Sequence, residues 1–536
     1  MTGADLLVAS LYDAGVRVIF GMPGSHTVAI YDALERHGGI RTILIRNEQA
    51  GAFAADGYAR VIGKPGVICT TAGPGATNAL TGVAEAWGDS VPVLLLSGQV
   101  NHDRLHQECG NYHEIDLEGI LRPCTKYVAT VMNNCRIPEM VGQAFHVLTT
   151  GRPRPVALIL PQDLMAAALS LGDDPKSSGD DIIPGGEDSV RVSLQGAATL
   201  GIADAAALLA RAAKPVILAG GGAVWANAGA EARKLAQRLN CPVLTTQQGK
   251  GIVDERDPLS LGHARSARGR VAQQHADVML AVGCRFTEVM TGFRKLQVPK
   301  QLIQIDLNAA EIGMNYPAQV GIVADAKAAL QRILAALPAK TASDWSDVWP
   351  MARAAKRPKA EWVIDTLRAE LPDDAVLFTD ASEMAYRMHT DYPAYLARSF
   401  FYPSNYIALG WGFPAALGAA VALPNRVVVS FSGDGGFLMT CQELATAARY
   451  RLRVIVIVHN DNTYSGIKHQ QRRKYEERYR DTDLNNPDFL ELAHAFGISA
   501  RRAGDRASFA DALRQAQRQE GPFLIEIPDT WRYLRH

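Results

Sequence analysis

Three times along this chain an apolar run ends in a glycine loop, passes into a helical stretch and returns to a second apolar run. In the first copy Val67 to Cys69 leads to Gly73-Pro74-Gly75, a helical stretch and then Pro92-Val-Leu-Leu-Leu96. In the second, Pro215-Val-Ile-Leu218 leads to Gly220-Gly221-Gly222, a helix from about Ala228 to Leu239, and Pro242-Val-Leu244. In the third, Val427 to Phe431 leads to Gly433-Asp434-Gly435, a helix through Glu443 to Tyr450, and Val454 to Val458. The steps from Gly73 to Val93, Gly220 to Val243 and Gly433 to Val454 are 20, 23 and 21 residues, so the unit is a repeat. Unbroken Val/Ile/Leu runs are what strands buried on both faces of a parallel sheet require. The expected fold is α/β, with three domains that each carry a central, mainly parallel sheet flanked by helices. Two stretches rich in turn and charged residues, Gly172 to Ser189 and Ala339 to Ala360, read as linkers. They bound domains at 1–171, 190–338 and 361–536.

Glycine loops at strand C-termini place backbone amides and a helix N-terminus at one sheet edge, where phosphate is commonly held. Each loop taken singly reads equally as tight packing; none fits GxGxxG with a following ribose-binding acid, and GxxxxGK[ST] is absent. The third loop differs, because it carries Asp434, and Asn460-Asp461-Asn462-Thr463 follows one helix and one strand later, with Asp461 27 positions beyond Asp434. Adjacent strand ends in a parallel sheet lie about 5 Å apart, so both carboxylates can reach one hard cation while the glycines admit phosphate oxygens. The competing reading is an Asx turn at 460–462 and a helix N-cap at 434.

The spacing of Gly433-Asp434-Gly435 to Asn460-Asp461-Asn462 resembles the thiamine-diphosphate signature. Gly21-Met-Pro-Gly-Ser25, Arg46-Asn-Glu-Gln49, Ala54-Ala-Asp-Gly-Tyr-Ala-Arg60, Thr71-Ala-Gly-Pro-Gly-Ala-Thr-Asn78, Gly151-Arg-Pro-Arg-Pro-Val156 and Leu409-Gly-Trp-Gly-Phe-Pro414 extend it over nearly the whole chain. The resemblance is to the thiamine-diphosphate-dependent group of acetolactate synthase, benzoylformate decarboxylase and benzaldehyde lyase. It implies an N-terminal pyrimidine-binding domain, a central α/β domain and a C-terminal diphosphate- and Mg²⁺-binding domain. It also implies a homodimer or homotetramer whose active sites combine N- and C-terminal domains from different subunits. Glu48 then hydrogen-bonds N1′ of the pyrimidine, a contact that promotes the imino tautomer needed as a base. Leu409 props the cofactor in its bent shape, and the Ile407 carbonyl takes the 4′-amino group. Asp434, Asp461 and the Thr463 carbonyl ligate Mg²⁺, with Asn460 competing with Asp461 for its role. Gly433, Gly435 and Gly436, with Ser382, Glu383, Asn460 and Thr463, contact the diphosphate, while Pro23, Thr71 and Asn78 lie in the N-terminal cofactor motifs.

His26, in Pro23-Gly-Ser-His26, resembles a substrate-facing histidine of benzaldehyde lyase. His113, in Asn111-Tyr-His-Glu114, stands in the loop where acetolactate synthases keep Gln and decarboxylases place histidines. Imidazoles titrate near neutrality, so both are candidates for proton relay; the alternative for a loop histidine is a plain surface residue. The chain departs from biosynthetic acetohydroxyacid synthases at Gln470, where they carry Trp, and at Leu261-Gly-His-Ala-Arg-Ser-Ala-Arg268, where they carry a flavin motif. Both departures argue against bound FAD. The basic run Gln471 to Arg480 mixes signs and reads as a solvated helix face.

With 55 basic and 55 acidic side chains in 536 residues, no charge excess advertises nucleic acid or an anionic membrane. No apolar run approaches the roughly 18 residues a membrane span needs. The opening twenty residues read as a helix and a strand rather than a signal peptide, and the seven cysteines are scattered, so the expected compartment is cytoplasmic. The expected activity is thiamine-diphosphate- and Mg²⁺-dependent, non-oxidative decarboxylation of a 2-oxo acid with carboligation. Simple decarboxylation and acyloin cleavage, the latter involving an aldehyde, are its enzymatic rivals. A flavin oxidase or a silent partner that kept the fold are the rivals of other classes.

Overall fold

The computed structural model describes residues 1–107, 110–169, 201–339, 341, 343–355 and 362–528. It contains three six-stranded sheets, and every strand pair in them is parallel. The N-terminal sheet comprises β1 (Val18–Gly21), β2 (Arg41–Leu44), β3 (Gly66–Thr70), β4 (Val93–Gln99), β5 (Tyr127–Thr130) and β6 (Val156–Pro161), in the order β2-β1-β3-β4-β6-β5. Its inner strands β3, β4 and β6 are buried along their whole length, as their unbroken apolar runs require, whereas the edge strand β5 is half-buried throughout.

The central sheet has β7 (Pro215–Ala219), β8 (Val243–Thr245), β9 (Ser260–His263), β10 (Val278–Val282), β11 (Gln301–Asp306) and β12 (Val320–Val323), ordered β12-β11-β10-β7-β8-β9. The C-terminal sheet has β13 (Val376–Thr379), β14 (Phe400–Phe401), β15 (Val428–Gly433), β16 (Val454–Asn460), β17 (Ser499–Arg502) and β18 (Phe523–Pro528), ordered β14-β13-β15-β16-β18-β17. Numbered within its own sheet, the outer pair shares one order, 2-1-3-4-6-5, while the central sheet reads 3-2-1-4-5-6 from its far edge, the doubly wound order of dinucleotide-binding folds. The repeat in the sequence therefore covers two topologies.

The chain gathers into two compact units. The first joins Met1–Val190 with Tyr406–Pro424 and Leu438–Leu452; the second holds Arg191–Asn405, Asn425–Phe437 and Arg453–His536. Within the first, the helix Gly412–Ala422 packs on the helix Glu48–Ile62 at very short range. A Cβ at Gly418 would stand 1.8 Å from the Ala54 carbonyl oxygen, and one at Gly57 would stand 2.0 Å from that of Ala415. Because the obstacle is backbone, Gly418→Val is expected to cost about 1–3 kcal/mol or more, seen as a lower urea midpoint.

The stretch read as a second linker is partly core. Trp345 and Val348 are fully buried, the Trp345 Nε1–H donates to the Pro215 carbonyl at 3.0 Å, and Trp349–Ala354 is helical. Trp345, Val348, Trp349 and Ala352 follow a helical i, i+3, i+4, i+7 spacing that the surrounding charged residues obscured. The first linker, Gly172 to Ser189, lies outside the described residues.

In the second unit, His263 at the end of β9 and His389 on the helix Glu383–Asp391 are buried with ring centroids 5.4 Å apart. Burial and the nearby Arg265 and Lys250 cations push His389 down to about 3; burial, His389, Lys250 and Arg265 hold His263 well below its ordinary range. The unfolded chain therefore takes up these protons first, near pH 6.5, and stability falls from that pH downward toward pH 3. The expected slope is about 1.4 kcal/mol per pH unit for each ring. His389→Gln should remove one ring's share, measured from urea midpoints at pH 7 and pH 5.

Candidate active site

In the first unit, chemistry-bearing residues collect at the C-terminal ends of β1, β3 and β4. β1 stops at Gly21, and the chain turns through the exposed Pro23 into a short 3₁₀ helix, Ser25–Thr27. His26 on this helix is buried, and a Cβ on Gly98 of β4 would come within 2.9 Å of His26 Cβ. Its Nδ1 lies 3.4 Å from Thr71 Oγ1, just past β3. His113 sits beside it, with ring centroids 5.5 Å apart, and stacks on Tyr112 at 3.8 Å. His113 adopts φ +66°, and its buried Nδ1 has no hydrogen-bond partner. Burial, and then the neighbouring His113, push His26 below its ordinary range, so it is neutral at pH 7.

Glu48 opens the helix Glu48–Ile62, whose preceding Asn47 caps it by accepting the Gln49 N–H at 2.8 Å. Glu48 is 3% exposed. Its Oε2 accepts the Asn78 Nδ2–H at 3.0 Å, and a Cβ on Gly75 would approach Oε1 to 3.3 Å. Asn78 and Gly75 belong to the helix Pro74–Asp89 after β3, so the first glycine loop presses directly against the carboxylate.

The backbone ahead of Glu48 is held by a residue the motifs did not reveal. Glu443 Oε1 accepts both the Arg46 and Asn47 N–H groups, at 2.9 and 3.1 Å. Burial pushes this carboxyl above its ordinary range. Ile407 and Leu409 lie on the loop before the helix Gly412–Ala422. Ile407 stands at φ +60°, and it is the one β-branched residue with positive φ among the described residues. Such a conformation costs on the order of 1–3 kcal/mol and persists only where its surroundings impose it.

In the second unit, β15 and β16 are neighbours, with Gly433 opposite His459, so the two acidic loops leave the sheet side by side. Asp434 is buried at the start of the helix Asp434–Leu438. Its Oδ1 accepts the Gly435 N–H, and its Oδ2 accepts the Asn462 N–H and the Asn486 Nδ2–H, all at 2.7 Å. Burial and then the Asp461 charge push the Asp434 carboxyl above its ordinary range. Asp461 accepts the Thr463 N–H at 3.1 Å and the Ser465 hydroxyl, so it also shapes the turn into the helix Ser465–Lys474. Asn460 is occupied by neighbours: it donates to Glu526 Oε1 at 2.8 Å and accepts from Asn486 Nδ2 at 3.0 Å.

Ser382 caps the helix Glu383–Asp391, accepting the Ala385 N–H at 3.3 Å, and its Cβ is 3.4 Å from where a Gly433 Cβ would be. Glu383 Oε1 meets His469 Nδ1 at 2.8 Å. A Cβ on Gly435 would strike the Tyr464 ring at 2.4 Å, and Gly436 is also buried. Asp434 and Asp461 offer carboxylate oxygens, the donor chemistry that suits a hard cation, and Asp434 Oδ1, which accepts one hydrogen bond while Oδ2 accepts two, is the better placed of that pair of oxygens to take part. Asn486 was not legible: nothing in its Asn485-Asn486-Pro487 context separates it from an ordinary turn, and it meets Asp434 from 52 residues away. Its Oδ1 is buried without a hydrogen-bond partner.

Models of the thiamine pyrophosphate enzyme family match the chain in three parts: the N-terminal binding domain over residues 1–120, the central domain over 202–333 and the C-terminal binding domain over 380–527. The chain belongs to the thiamine pyrophosphate enzymes. It is 36% identical to the probable acetolactate synthase large subunit of Methanocaldococcus jannaschii, across 98% of this chain and 92% of that protein. It is 31% identical to the acetolactate synthase isozyme 1 large subunit of Escherichia coli, across 98% and 93%. The probable 2-ketoarginine decarboxylase AruI of Pseudomonas aeruginosa is 34% identical across 98% and 94%. This thiamine pyrophosphate enzyme is acetolactate synthase-like, a thiamine-diphosphate-dependent carboligase or decarboxylase. Each match falls on a different sheet: residues 1–120 span β1 to β4, residues 202–333 span β7 to β12, and residues 380–527 span β14 to β17 and nearly all of β18.

Proposed function

We propose that the enzyme uses thiamine diphosphate and Mg²⁺ to decarboxylate a 2-oxo acid and join the remaining fragment to an acceptor carbonyl, with pyruvate giving acetolactate as the leading case. The observation that carries this is Glu48: a buried carboxylate whose one oxygen is fixed by Asn78 and whose other lies 3.3 Å from where a Gly75 Cβ would stand. Thiamine diphosphate supplies, when bound, the electron sink for the bond that breaks.

The residues of this chain do the rest. Glu48 holds a proton for N1′ of the pyrimidine, and Pro23, Thr71 and Asn78 border that ring. The Ile407 carbonyl would accept from its amino group, and Leu409 would pack against the cofactor. Asp434, Asp461 and the Thr463 carbonyl hold Mg²⁺, while Gly433, Gly435, Gly436, Ser382, Glu383, Asn460 and Thr463 surround the diphosphate. His26, neutral and 5.5 Å from His113, would accept or return a proton at the substrate's oxygen or at the carbon from which CO₂ departs. That pair also favours a second reading, decarboxylation ending in protonation to an aldehyde.

We place the pyrimidine and diphosphate halves of each site on different copies of the chain, in a homodimer or homotetramer, with domains at 1–171, 190–338 and 361–536. A cytoplasmic location agrees with six free cysteines among the described residues, and no described helix is long and apolar enough to cross a membrane. FAD stands outside this cofactor set, so the purified protein is expected to show no flavin absorbance.

The test is NMR product analysis of the purified enzyme with thiamine diphosphate, Mg²⁺ and a panel of 2-oxo acids led by pyruvate. Acetolactate or another ligated product supports the leading reading, and aldehyde alone supports the second. No product from any acid would overturn both and turn attention to acyloins.

A further inference from the structure

The loop that presents Ile407 and Leu409 is gripped from three sides within the first unit. The Ala408 N–H donates to Glu85 Oε2 at 2.8 Å, and the Gly410 carbonyl accepts from Thr440 Oγ1 at 3.0 Å. The buried Trp411 ring lies 4.9 Å from the Arg60 guanidinium, itself bonded to Asp56 and Asp89, each at 3.1 Å through Nη2. Of these grips only Glu85 acts on the peptide next to Ile407. The Glu85 side chain comes from the helix Pro74–Asp89 and is fully buried, and its Oε1 has no hydrogen-bond partner.

Ile407 is where the chain needs such help. A β-branched residue does not adopt φ +60° by preference, and its loop would relax toward an extended form if the following N–H were released. We propose that Glu85 is a positioning residue: by holding the Ala408 N–H it keeps Ile407 in the left-handed conformation that sets the direction of its carbonyl. The proposal rests on the reading above that this carbonyl takes the amino group of the cofactor's pyrimidine. The bond needs an acceptor and not a charge. Burial, with Asp89 close by, pushes the Glu85 carboxyl well above its ordinary range.

The acceptor role makes the prediction specific, since glutamine offers the same oxygen to the Ala408 N–H. The full-length protein with thiamine diphosphate and Mg²⁺ is compared as wild type, Glu85→Leu, Glu85→Ala and Glu85→Gln. Two quantities are read: the hydrogen–deuterium exchange rate at C2 of the bound cofactor, by quenched flow and proton NMR, and amide exchange of residues 405–411 in the cofactor-free protein, by mass spectrometry. Leucine and alanine are expected to slow C2 exchange by about tenfold or more, the worth of one lost hydrogen bond, and to raise amide exchange of the segment by a similar factor. Cofactor affinity should stay within about threefold, and glutamine should restore both rates. C2 exchange at the wild-type rate in the leucine and alanine variants overturns the proposal, as does a glutamine variant as impaired as they are. A wild-type protein that leaves C2 exchange at its free-solution rate would instead overturn the cofactor reading beneath it.

Discussion

Glu48→Gln is expected to lower turnover by about 10² to 10⁴, the usual worth of a positioned acid or base, while cofactor retention stays near wild type. Glutamine can still accept the Asn78 Nδ2–H that now meets Oε2 at 3.0 Å, so the side chain keeps its place among Asn78 and Gly75. What it cannot do is pass a proton to and from a ring nitrogen. Steady-state turnover, paired with calorimetric titration of thiamine diphosphate, separates the two effects. Turnover within about threefold of wild type would remove Glu48 from the chemistry.

Asp434→Asn is expected to weaken Mg²⁺-dependent retention of thiamine diphosphate by about 100-fold or more. The asparagine oxygen can still accept the 2.7 Å bonds from the Asn462 and Asn486 donors, so the turn survives, but one anionic oxygen of the hard-cation set is gone. Gel filtration after loading, followed by cofactor assay, reads the loss. Retention equal to wild type would place the cation elsewhere. Asp434→Ala should lose retention as fully, with an added fall in thermal stability from three unpaired donors, two of which the asparagine variant still pairs.

The parts of this molecule that were legible in advance share a cause. Strands buried on both faces must be written in unbroken apolar residues, so β3, β7 and β15 stood out, and the glycine loops beyond them marked the sheet edge at which Glu48 and Asp434 sit. Asp434 and Asp461 could be paired because they follow strands that are sequential and adjacent. Strand order was not legible: the local pattern is the same in all three copies, and only crossovers between distant segments distinguish 2-1-3-4-6-5 from 3-2-1-4-5-6. Asn486, Glu443 and Glu85 escaped for a related reason. Each bonds a partner far away in the sequence, at Asp434, at the Arg46 and Asn47 amides and at the Ala408 amide, and a single polar residue on a helix or turn carries no mark of such a bond. Trp345 was hidden by the charges around it, although its spacing to Val348 and Ala352 already had the period of a helix.

The crossing of Gly412–Ala422 on Glu48–Ile62 also sets a schedule for biosynthesis. The first compact unit takes its final pieces from Tyr406–Pro424 and Leu438–Leu452, so the ribosome must add more than half of the chain after β6 before that unit can close. At ordinary elongation rates this interval is about 15–60 s. Throughout it the nascent N-terminal sheet carries the bare stripe of Ala54 and Gly57 that Gly418 and Ala415 later cover, together with Arg46 and Asn47 amides that Glu443 has yet to reach. A ribosome stalled between residues 170 and 405 should therefore display an incomplete, chaperone-accessible N-terminal segment that becomes protease-resistant only once residue 452 has left the exit tunnel.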